Sequence, residues 1–177
     1  MGQLNFEYNI AFGGSYDINI SNGTLSFFPF LIRDSISIGT FNILIEYGAS
    51  SSKTQTFSLG LYSLTGSTLS IANSWSGTAG STGTASARLW VSLTATSAAQ
   101  NITPGAWWFG MLVSTSNQSA ITFLGGSNIN PANAFPAGFY VGRMTDSTNA
   151  LPSSYATSNL DITGSDAIGV PNIILTA

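Results

Sequence analysis

The sequence contains no cysteine and no histidine among its 177 residues. Without cysteine there is no disulfide and no thiolate metal site. The sequence therefore gives no sign of whether the protein resides in an oxidising or a reducing compartment. Without histidine, the commonest general base and a leading transition-metal ligand are missing as well. We therefore expect no cofactor and no metal ion, and any acid–base chemistry would have to come from carboxylates.

Charge is also scarce. Charged residues make up 6% of the chain, with four basic and seven acidic side chains, against about a quarter in average proteins. The basic residues are scattered along the chain, so they form no stripe for phosphates and nucleic acid is not an expected partner; they are Arg33, Lys53, Arg88 and Arg143. Ser, Thr and Asn number 27, 19 and 14. These counts predict a polar but nearly uncharged surface, which attracts charged ligands only weakly over long range.

Long apolar runs are missing too. The longest, Phe27 to Ile32, is strand-sized and contains Pro29, whereas a membrane helix needs about 18 apolar residues or more. The opening residues Met1 to Tyr8 show neither the basic nor the apolar section of a signal peptide. We expect neither membrane insertion nor conventional secretion.

The dominant pattern is alternation of apolar and polar residues, which is typical of half-buried strands. Turns are predicted at Gly13-Gly14, Asn22-Gly23 and Thr65-Gly66-Ser67. Long loops are predicted at Ser74–Ala87, Ile129–Pro136 and Ser147–Ile168. Strands are predicted within residues 4–10, 18–20, 24–32, 36–47, 57–71, 87–93, 106–113, 120–124, 138–143 and 172–176. Residues 106–113 are apolar on both faces, which indicates a central strand.

About nine to eleven short strands predict a single all-β domain over residues 1–177, built as an antiparallel two-sheet sandwich with a jelly-roll-like topology. An immunoglobulin-type sandwich is the alternative, although the chain lacks its usual Cys and Trp spacing. Residues 1–23 would form either a first strand or an attachment segment.

Only carboxylates remain for catalysis. A glycosidase would need two of them facing each other across a cleft, but each of the seven also fits a polar strand face or a turn: Glu7, Asp17, Asp34, Glu46, Asp146, Asp161 and Asp166. We therefore predict no catalytic residue. Asp161 and Asp166 are candidate calcium ligands, but their spacing matches no defined calcium loop and a solvated turn is favoured. The glycine-rich stretch 79–85 lacks the lysine of a phosphate loop.

The four tryptophans are the remaining candidates for a functional surface. Trp107 and Trp108 are adjacent, so they point to opposite faces of a strand, and one of them must meet a second layer, a subunit or a ligand. Leu44 interrupts the polar face of its strand. Core packing is favoured for Trp107 or Trp108, and the candidate residues of an oligomer interface are Leu44, Trp107 and Trp108. Trp75 and Trp90 are the predicted exposed platforms on which a sugar ring would stack.

Three segments carry a resemblance to a known group of proteins: Leu59–Asn73, Ile102–Phe109 and Val113–Ser116. Their pattern is a hairpin with Tyr-Ser-Leu-Thr-Gly-Ser, followed by a Thr-Pro-Gly turn into an aromatic strand. It resembles tailed-bacteriophage appendage proteins, namely the Ser/Thr/Gly-rich head-fibre, capsid-decoration and tail-fibre tip domains, over about residues 24–160. The resemblance implies a β-sandwich, often trimeric, fixed to the virion. The chain has no helical or collagen-like stalk, which favours a compact decoration or tip domain.

Together these observations predict a virion structural protein without catalysis, made in the host cytoplasm and placed on the capsid or tail. Its expected partners are copies of itself, with a trimer preferred, and other virion proteins. The alternative is a carbohydrate-binding or host-receptor-binding module that recognises a host surface glycan.

Overall fold

The computed structural model describes residues 16–20, 23–47, 54–80, 87–96, 101–115, 121–129, 142–144, 149–161, 168–171 and 173–176. Most of these residues are in strands, and no α-helix occurs among them; a single 3-10 turn spans Thr157–Asn159. The strands are β1 (Tyr16–Ile20), β2 (Leu25–Ile32), β3 (Ile36–Ser37), β4 (Thr40–Tyr47), β5 (Thr54–Thr65), β6 (Thr68–Gly80), β7 (Ala87–Ala95), β8 (Asn101–Ile102), β9 (Gly105–Thr115), β10 (Ile121–Ile129), β11 (Gly142–Met144), β12 (Ser154–Ala156), β13 (Leu160–Asp161), β14 (Ile168–Pro171) and β15 (Ile173–Thr176). The all-β prediction is confirmed.

Thirteen strands form one antiparallel sheet in the order β1-β10-β4-β7-β6-β5-β9-β2-β11-β13, with β12 beside β6, β14 beside β10 and β15 beside β4. The short strands β3 and β8 pair separately. As predicted, β9 is a central strand, since β5 pairs with it on one side and β2 on the other. Within the described residues no helix is long and apolar enough to cross a membrane.

The sheet curls around a main hydrophobic core, called here the first core. Phe41 in β4 and Phe109 in β9 are four strands apart in the sheet, a separation of about 19 Å in a flat sheet with strands ~4.8 Å apart. Their ring centroids are nevertheless 5.2 Å apart in an edge-on contact, so β4 lies over β9. The buried residues of the first core are Phe28, Ile32, Ile38, Phe41, Ile43, Phe57, Leu59, Leu61, Trp75, Val91, Leu93, Ile102, Phe109, Met111 and Val113.

A second core lies on the opposite face of β5, β9 and β2. Strand alternation separates the two cores: Leu59 and Leu61 enter the first core, whereas the next residue, Tyr62, enters the second. The buried residues of the second core are Leu25, Phe27, Tyr62, Leu69, Trp108, Leu112 and Leu160. Both faces of the central strands are therefore covered by the chain itself, which explains why their sequences are apolar on both faces.

Tyr62 is the centre of the second core, and two glycines make room for its ring. Gly60 and Gly110 are opposite each other in register. A Cβ atom would lie 2.5 Å from the Tyr62 ring at Gly60 and 2.7 Å from it at Gly110. Phe27 contacts the same ring edge-on, with centroids 5.0 Å apart. The two missing side chains thus create the trough in which the aromatic pair packs.

Residues 149–161, called here the strap, cover this second core. The Tyr62 hydroxyl donates a hydrogen bond to the Pro152 carbonyl oxygen at 3.0 Å, and burial raises the pKa of Tyr62, which keeps the donor protonated. Tyr155 stacks on Phe27 with centroids 5.6 Å apart. The backbone N–H of Thr157 donates to the Ser67 carbonyl oxygen at 2.8 Å. Within the predicted loop over residues 147–168, backbone pairing with β6 orders residues 154–156 into β12, whereas residues 147–148 and 162–167 lie outside the described part of the chain.

A bulge in β6 lets this strand serve both cores. The register passes from Leu61 opposite Asn73 to Tyr62 opposite Ile71, so Ala72 has no opposing residue. Leu69 therefore packs in the second core and Trp75 in the first, although both numbers are odd and strict alternation would place them on one face. The neighbour of β6 changes at the same place, from β12 at residues 68–70 to β7 at Trp75 and Ser76.

The C-terminal half of β6 corrects another prediction. Residues 74–80 continue the strand, where a long exposed loop is predicted from their small side chains; residues 81–86 lie outside the described part of the chain. A Cβ atom at Gly77 would lie 2.4 Å from the backbone oxygen of Ser92. The glycine is thus required because β7 crosses close over β6 at this corner of the sheet.

The remaining sequence predictions have mixed outcomes. Gly23 and Gly66 have φ of 76° and 60°, which confirms the two turns predicted around them. The segment predicted as one strand over 36–47 is divided into β3 and β4. The predicted strand over 4–10, the Gly13-Gly14 turn, residues 130–136 and residues 138–141 lie outside the described residues.

Candidate binding surface

The candidate surface is the side of β4 and β7 that faces away from the first core, called here the outer face. Val91 and Leu93 are buried in the first core, so the alternating residues of β7 point outward. Trp90 is 47% exposed, and Ser92 and Thr94 are exposed beside it. The prediction that Trp90 is exposed is confirmed, and its role in stacking a sugar stays a prediction.

Strand β4 completes this face with an ordered hydrogen bond. Asn42 and Thr40 lie opposite Ser92 and Thr94 in register. The Ser92 hydroxyl donates to the Asn42 amide oxygen at 2.7 Å. Both N–H donors of the Asn42 amide stay outside this bond. The hydrogen-bonded side chains of Asn42 and Ser92 therefore form a fixed polar group. Ser92 lies two residues along β7 from the exposed indole of Trp90.

The polar character of the outer face continues into β6. Ser76 lies opposite Thr94. The hydroxyls of Ser74 and Thr96 are 2.7 Å apart, and the Thr96 hydroxyl donates to the Ser74 carbonyl oxygen at 3.0 Å. The described side chains along this side of β4, β7 and β6 are thus neutral hydroxyls and amides, with Trp90 as the large apolar group.

The few charges are arranged by strand register. Glu46 lies opposite Arg88 in the β4–β7 pair, and Asp161 lies opposite Arg143 in the β11–β13 pair. Two of the four basic residues of the chain are thus placed opposite an acid in strand register. Arg33 is exposed and directly follows β2.

Trp75 is fully buried, with 0% of its surface exposed. The prediction that it forms an exposed platform is therefore wrong. Its ring meets Phe41 edge-on with centroids 4.6 Å apart, inside the first core. The physical reason is that β6 continues through residues 74–80 and lies opposite Leu59 of β5 at this position, instead of ending in a surface loop.

The three residues of the predicted oligomer interface have different outcomes. Trp108 is 3% exposed within the second core, so its assignment to an interface is wrong: the strap supplies the second layer within the same chain. Trp107 is half-buried against the first core, and its Nε1 donates to the Thr103 carbonyl oxygen at 3.0 Å; its interface role stays a prediction. Leu44 lies opposite Trp90 in register, and its side chain lies outside the described part of the structure.

The carboxylates give no further site among the described residues. No group of three or more His, Cys, Asp or Glu that could hold a metal ion is found in that part of the chain. Asp161 is in β13 beside β11, whereas Asp166 lies outside the described residues, so the calcium alternative stays open.

No family model, curated protein or solved structure matches the chain. Any functional assignment therefore depends on the residues and their geometry. The surface around Trp90 is the feature with the most direct chemical meaning, because it combines an exposed flat aromatic ring with ordered hydrogen-bonding groups.

Sequence reasoning located Trp90 but did not connect it with Asn42 and Ser92. Alternation alone places Asn42 on the polar face of its strand. Only the register of the β4–β7 pair brings it opposite Ser92, and these strands are separated by β5 and β6 in the chain. The sequence predicts which face of each strand is polar, but it does not predict which strands pair with each other.

Proposed function

We propose that this chain is a non-catalytic structural domain of a virion, a capsid-decoration, head-fibre or tail-fibre domain that assembles with copies of itself and with other virion proteins. The observation that carries the proposal is the hydroxyl-rich outer face, whose described side chains are uncharged, on a sheet that encloses two cores. Such a surface holds its shape and its solvation with little charge, which suits a permanent external component.

The fold supports this proposal through its layering. β4 and β7 lie over β5 and β9 with the first core between them. We propose that these two arms of the curled sheet correspond to the two layers of a sandwich with jelly-roll-like topology.

The segments that resemble tailed-phage appendage proteins lie next to one another in the sheet. Leu59–Asn73 forms most of the β5–β6 hairpin, and Ile102–Phe109 and Val113–Ser116 include much of β9. Because β5 lies between β6 and β9, the resembling segments form one contiguous patch of sheet. This contiguity supports the proposal, since a shared pattern in three adjacent strands describes a common piece of architecture.

Sedimentation of the purified chain at micromolar concentration tests the assembly proposal. We expect a stable homo-oligomer, with a trimer preferred, and electron microscopy of the carrying particle should place it on the capsid or tail. Leu31, an exposed apolar side chain at 53% exposure, and Trp90 are available for such contacts. A monomer of 18.4 kDa that is absent from particles would contradict the proposal.

The exposure of Trp90 favours a second candidate function, a carbohydrate-binding or host-receptor-binding module. Indole rings present a flat apolar surface at low cost in side-chain entropy, and pyranose rings have an apolar face that stacks on such surfaces. Retention of the purified chain by immobilised polysaccharides tests this candidate.

A further inference from the structure

We infer that the outer face binds neutral glycans in preference to acidic ones, an inference that rests on the second candidate function. The site consists of Trp90, Asn42 and Ser92, flanked by Thr40 and Thr94. The occupant is an uncharged oligosaccharide with one sugar ring stacked on the indole.

The geometry of the strands sets the size of the site. Trp90 and Ser92 are two residues apart on the same face, a distance of about 6.7 Å along the strand. Asn42 lies opposite Ser92 and is therefore diagonal to Trp90, about 7–8 Å away. A hexose resting on the indole would thus extend its hydroxyls toward the Asn42 amide and the Ser92 hydroxyl.

The polar groups match the chemistry of sugar hydroxyls. The Ser92 hydroxyl donates to the Asn42 amide oxygen, which leaves the Ser92 oxygen able to accept and the Asn42 amide nitrogen able to donate. Because this bond fixes both side chains before a ligand arrives, less conformational entropy is lost on binding. One site thus offers a donor, an acceptor and an apolar platform, as small-molecule sites commonly do.

The selectivity follows from charge. The described side chains of the site are uncharged, so an acidic sugar held by them would lose hydration of its carboxylate without gaining a cation. Arg88 lies two residues from Trp90 along β7 and opposite Glu46 in register. This position therefore adds one basic and one acidic residue and no net charge.

Affinity electrophoresis of the full chain tests the inference, with neutral polysaccharides (dextran, mannan and galactan) and acidic ones (alginate and polysialic acid) in separate gels. We expect retardation by at least one neutral polymer, unchanged when NaCl is raised to 1 M. Trp90→Ala should weaken binding by at least about tenfold, equivalent to about 1.4 kcal/mol. Trp90→Phe should retain part of the affinity, and Asn42→Ala should weaken it severalfold.

Thr56→Ala is the control, because Thr56 is also exposed but lies on β5, and it should bind as the parent chain does. Circular dichroism checks that each variant is folded. Retardation by acidic polymers alone would overturn the neutral preference while leaving the second candidate function standing. Absence of retardation by all five polymers would overturn both. A change of oligomeric state in Trp90→Ala without any glycan binding would show a self-association surface and would also overturn the inference.

Discussion

Tyr62 shows how a single side chain joins two parts of the molecule. Its ring packs in the trough above Gly60 and Gly110, while its hydroxyl reaches the strap at Pro152. A phenol in this position must remain neutral, because ionisation would remove the donor and place a charge in an apolar core. Burial disfavours the charged form for this reason and raises the pKa of Tyr62.

Tyr62→Phe is expected to lower the free energy of unfolding by about 1 kcal/mol at pH 7 through loss of the hydrogen bond to Pro152. The folded pKa is raised above the ordinary value of about 10, so the stabilisation is complete below about pH 10. Above that pH the unfolded state loses the proton first and the parent chain becomes less stable. The difference between parent and variant should therefore shrink from pH 8 to pH 11 in urea denaturation.

Thr157→Val is the control for this pH effect. The Thr157 hydroxyl donates to the Ser67 carbonyl oxygen at 3.1 Å and does not ionise between pH 8 and pH 11, so its contribution should change little over that range. A gap between the parent chain and Tyr62→Phe that stays constant to pH 11 would contradict the assigned role of Tyr62.

Gln55 gives a second prediction at this scale. It is 1% exposed, on the same side of β5 as Phe57, and neither amide atom has a hydrogen-bond partner within the described part of the structure. Replacing an unsatisfied buried amide by an apolar side chain of similar shape removes a desolvation penalty of about 1–3 kcal/mol. Gln55→Met should therefore raise the free energy of unfolding by about 1 kcal/mol or more, measured by chemical denaturation. Thr56→Val, on the exposed face, should stay within about 0.5 kcal/mol, and a destabilised Gln55→Met would refute the expectation.

The residues of the candidate site differ in how far the sequence predicts them. Trp90 follows from the alternation of residues 87–93, because β7 is regular over that stretch. Trp75 does not, because its neighbours are small residues that also occur in loops, and their role in close strand packing becomes visible only when β7 is placed against Gly77. Local composition is thus ambiguous wherever two backbones approach closely.

At the scale of elements, β6 is the strand that contributes side chains to both cores. Residues before its bulge at Ala72 pack in the second core and residues after it pack in the first. At the same place its neighbour changes from the strap to β7. The sequence predicts the hairpin with β5 from the Thr-Gly-Ser turn. It does not predict the bulge, since one unpaired residue leaves no signal in a pattern of Ser, Ala and Asn.

The corner between β6 and β7 provides a matched pair of glycine substitutions. Gly77→Ala would place a methyl group 2.4 Å from the Ser92 carbonyl oxygen, and because the obstacle is backbone, we expect a loss of about 3 kcal/mol or more. Gly39→Ala meets nothing within 4 Å and should be neutral or slightly stabilising. Thermal unfolding compares the two variants; equal melting temperatures would contradict the close approach.

At the scale of the whole molecule, scarcity of charge predicts insensitivity to salt. Exposed ion pairs contribute about 0–1 kcal/mol each, whereas apolar burial contributes about 25 cal/mol per Å². Raising NaCl from about 0.05 to 1 M, where the Debye length is ~3 Å, should neither dissociate the proposed oligomer nor release it from the proposed particle. Sedimentation across this series measures both, and release by salt would mean that the four basic residues are concentrated at the contact.

The overall fold is predictable from the sequence up to the level of individual strands. Nearly every predicted strand within the described residues overlaps an observed one, because burial of one face imposes a period of two. The strand order is not predictable, because β2 pairs with β9 and β1 with β10 across distant parts of the chain. Many apolar strands of similar length satisfy the same alternation, and only their packing in the two cores selects the partners.

The pairing of β15 with β4 has a consequence for how the protein is made. The outer edge of β4 at residues 40–43 is covered by residues 173–176, which are synthesised about 130 residues later. At about 5–20 residues per second, roughly six to twenty-six seconds of synthesis separate the two strands. During most of that time the nascent chain carries an open strand edge of the kind that templates aggregation. Its yield in cells should therefore depend on chaperone capacity and on translation speed more than on the stability of the finished fold.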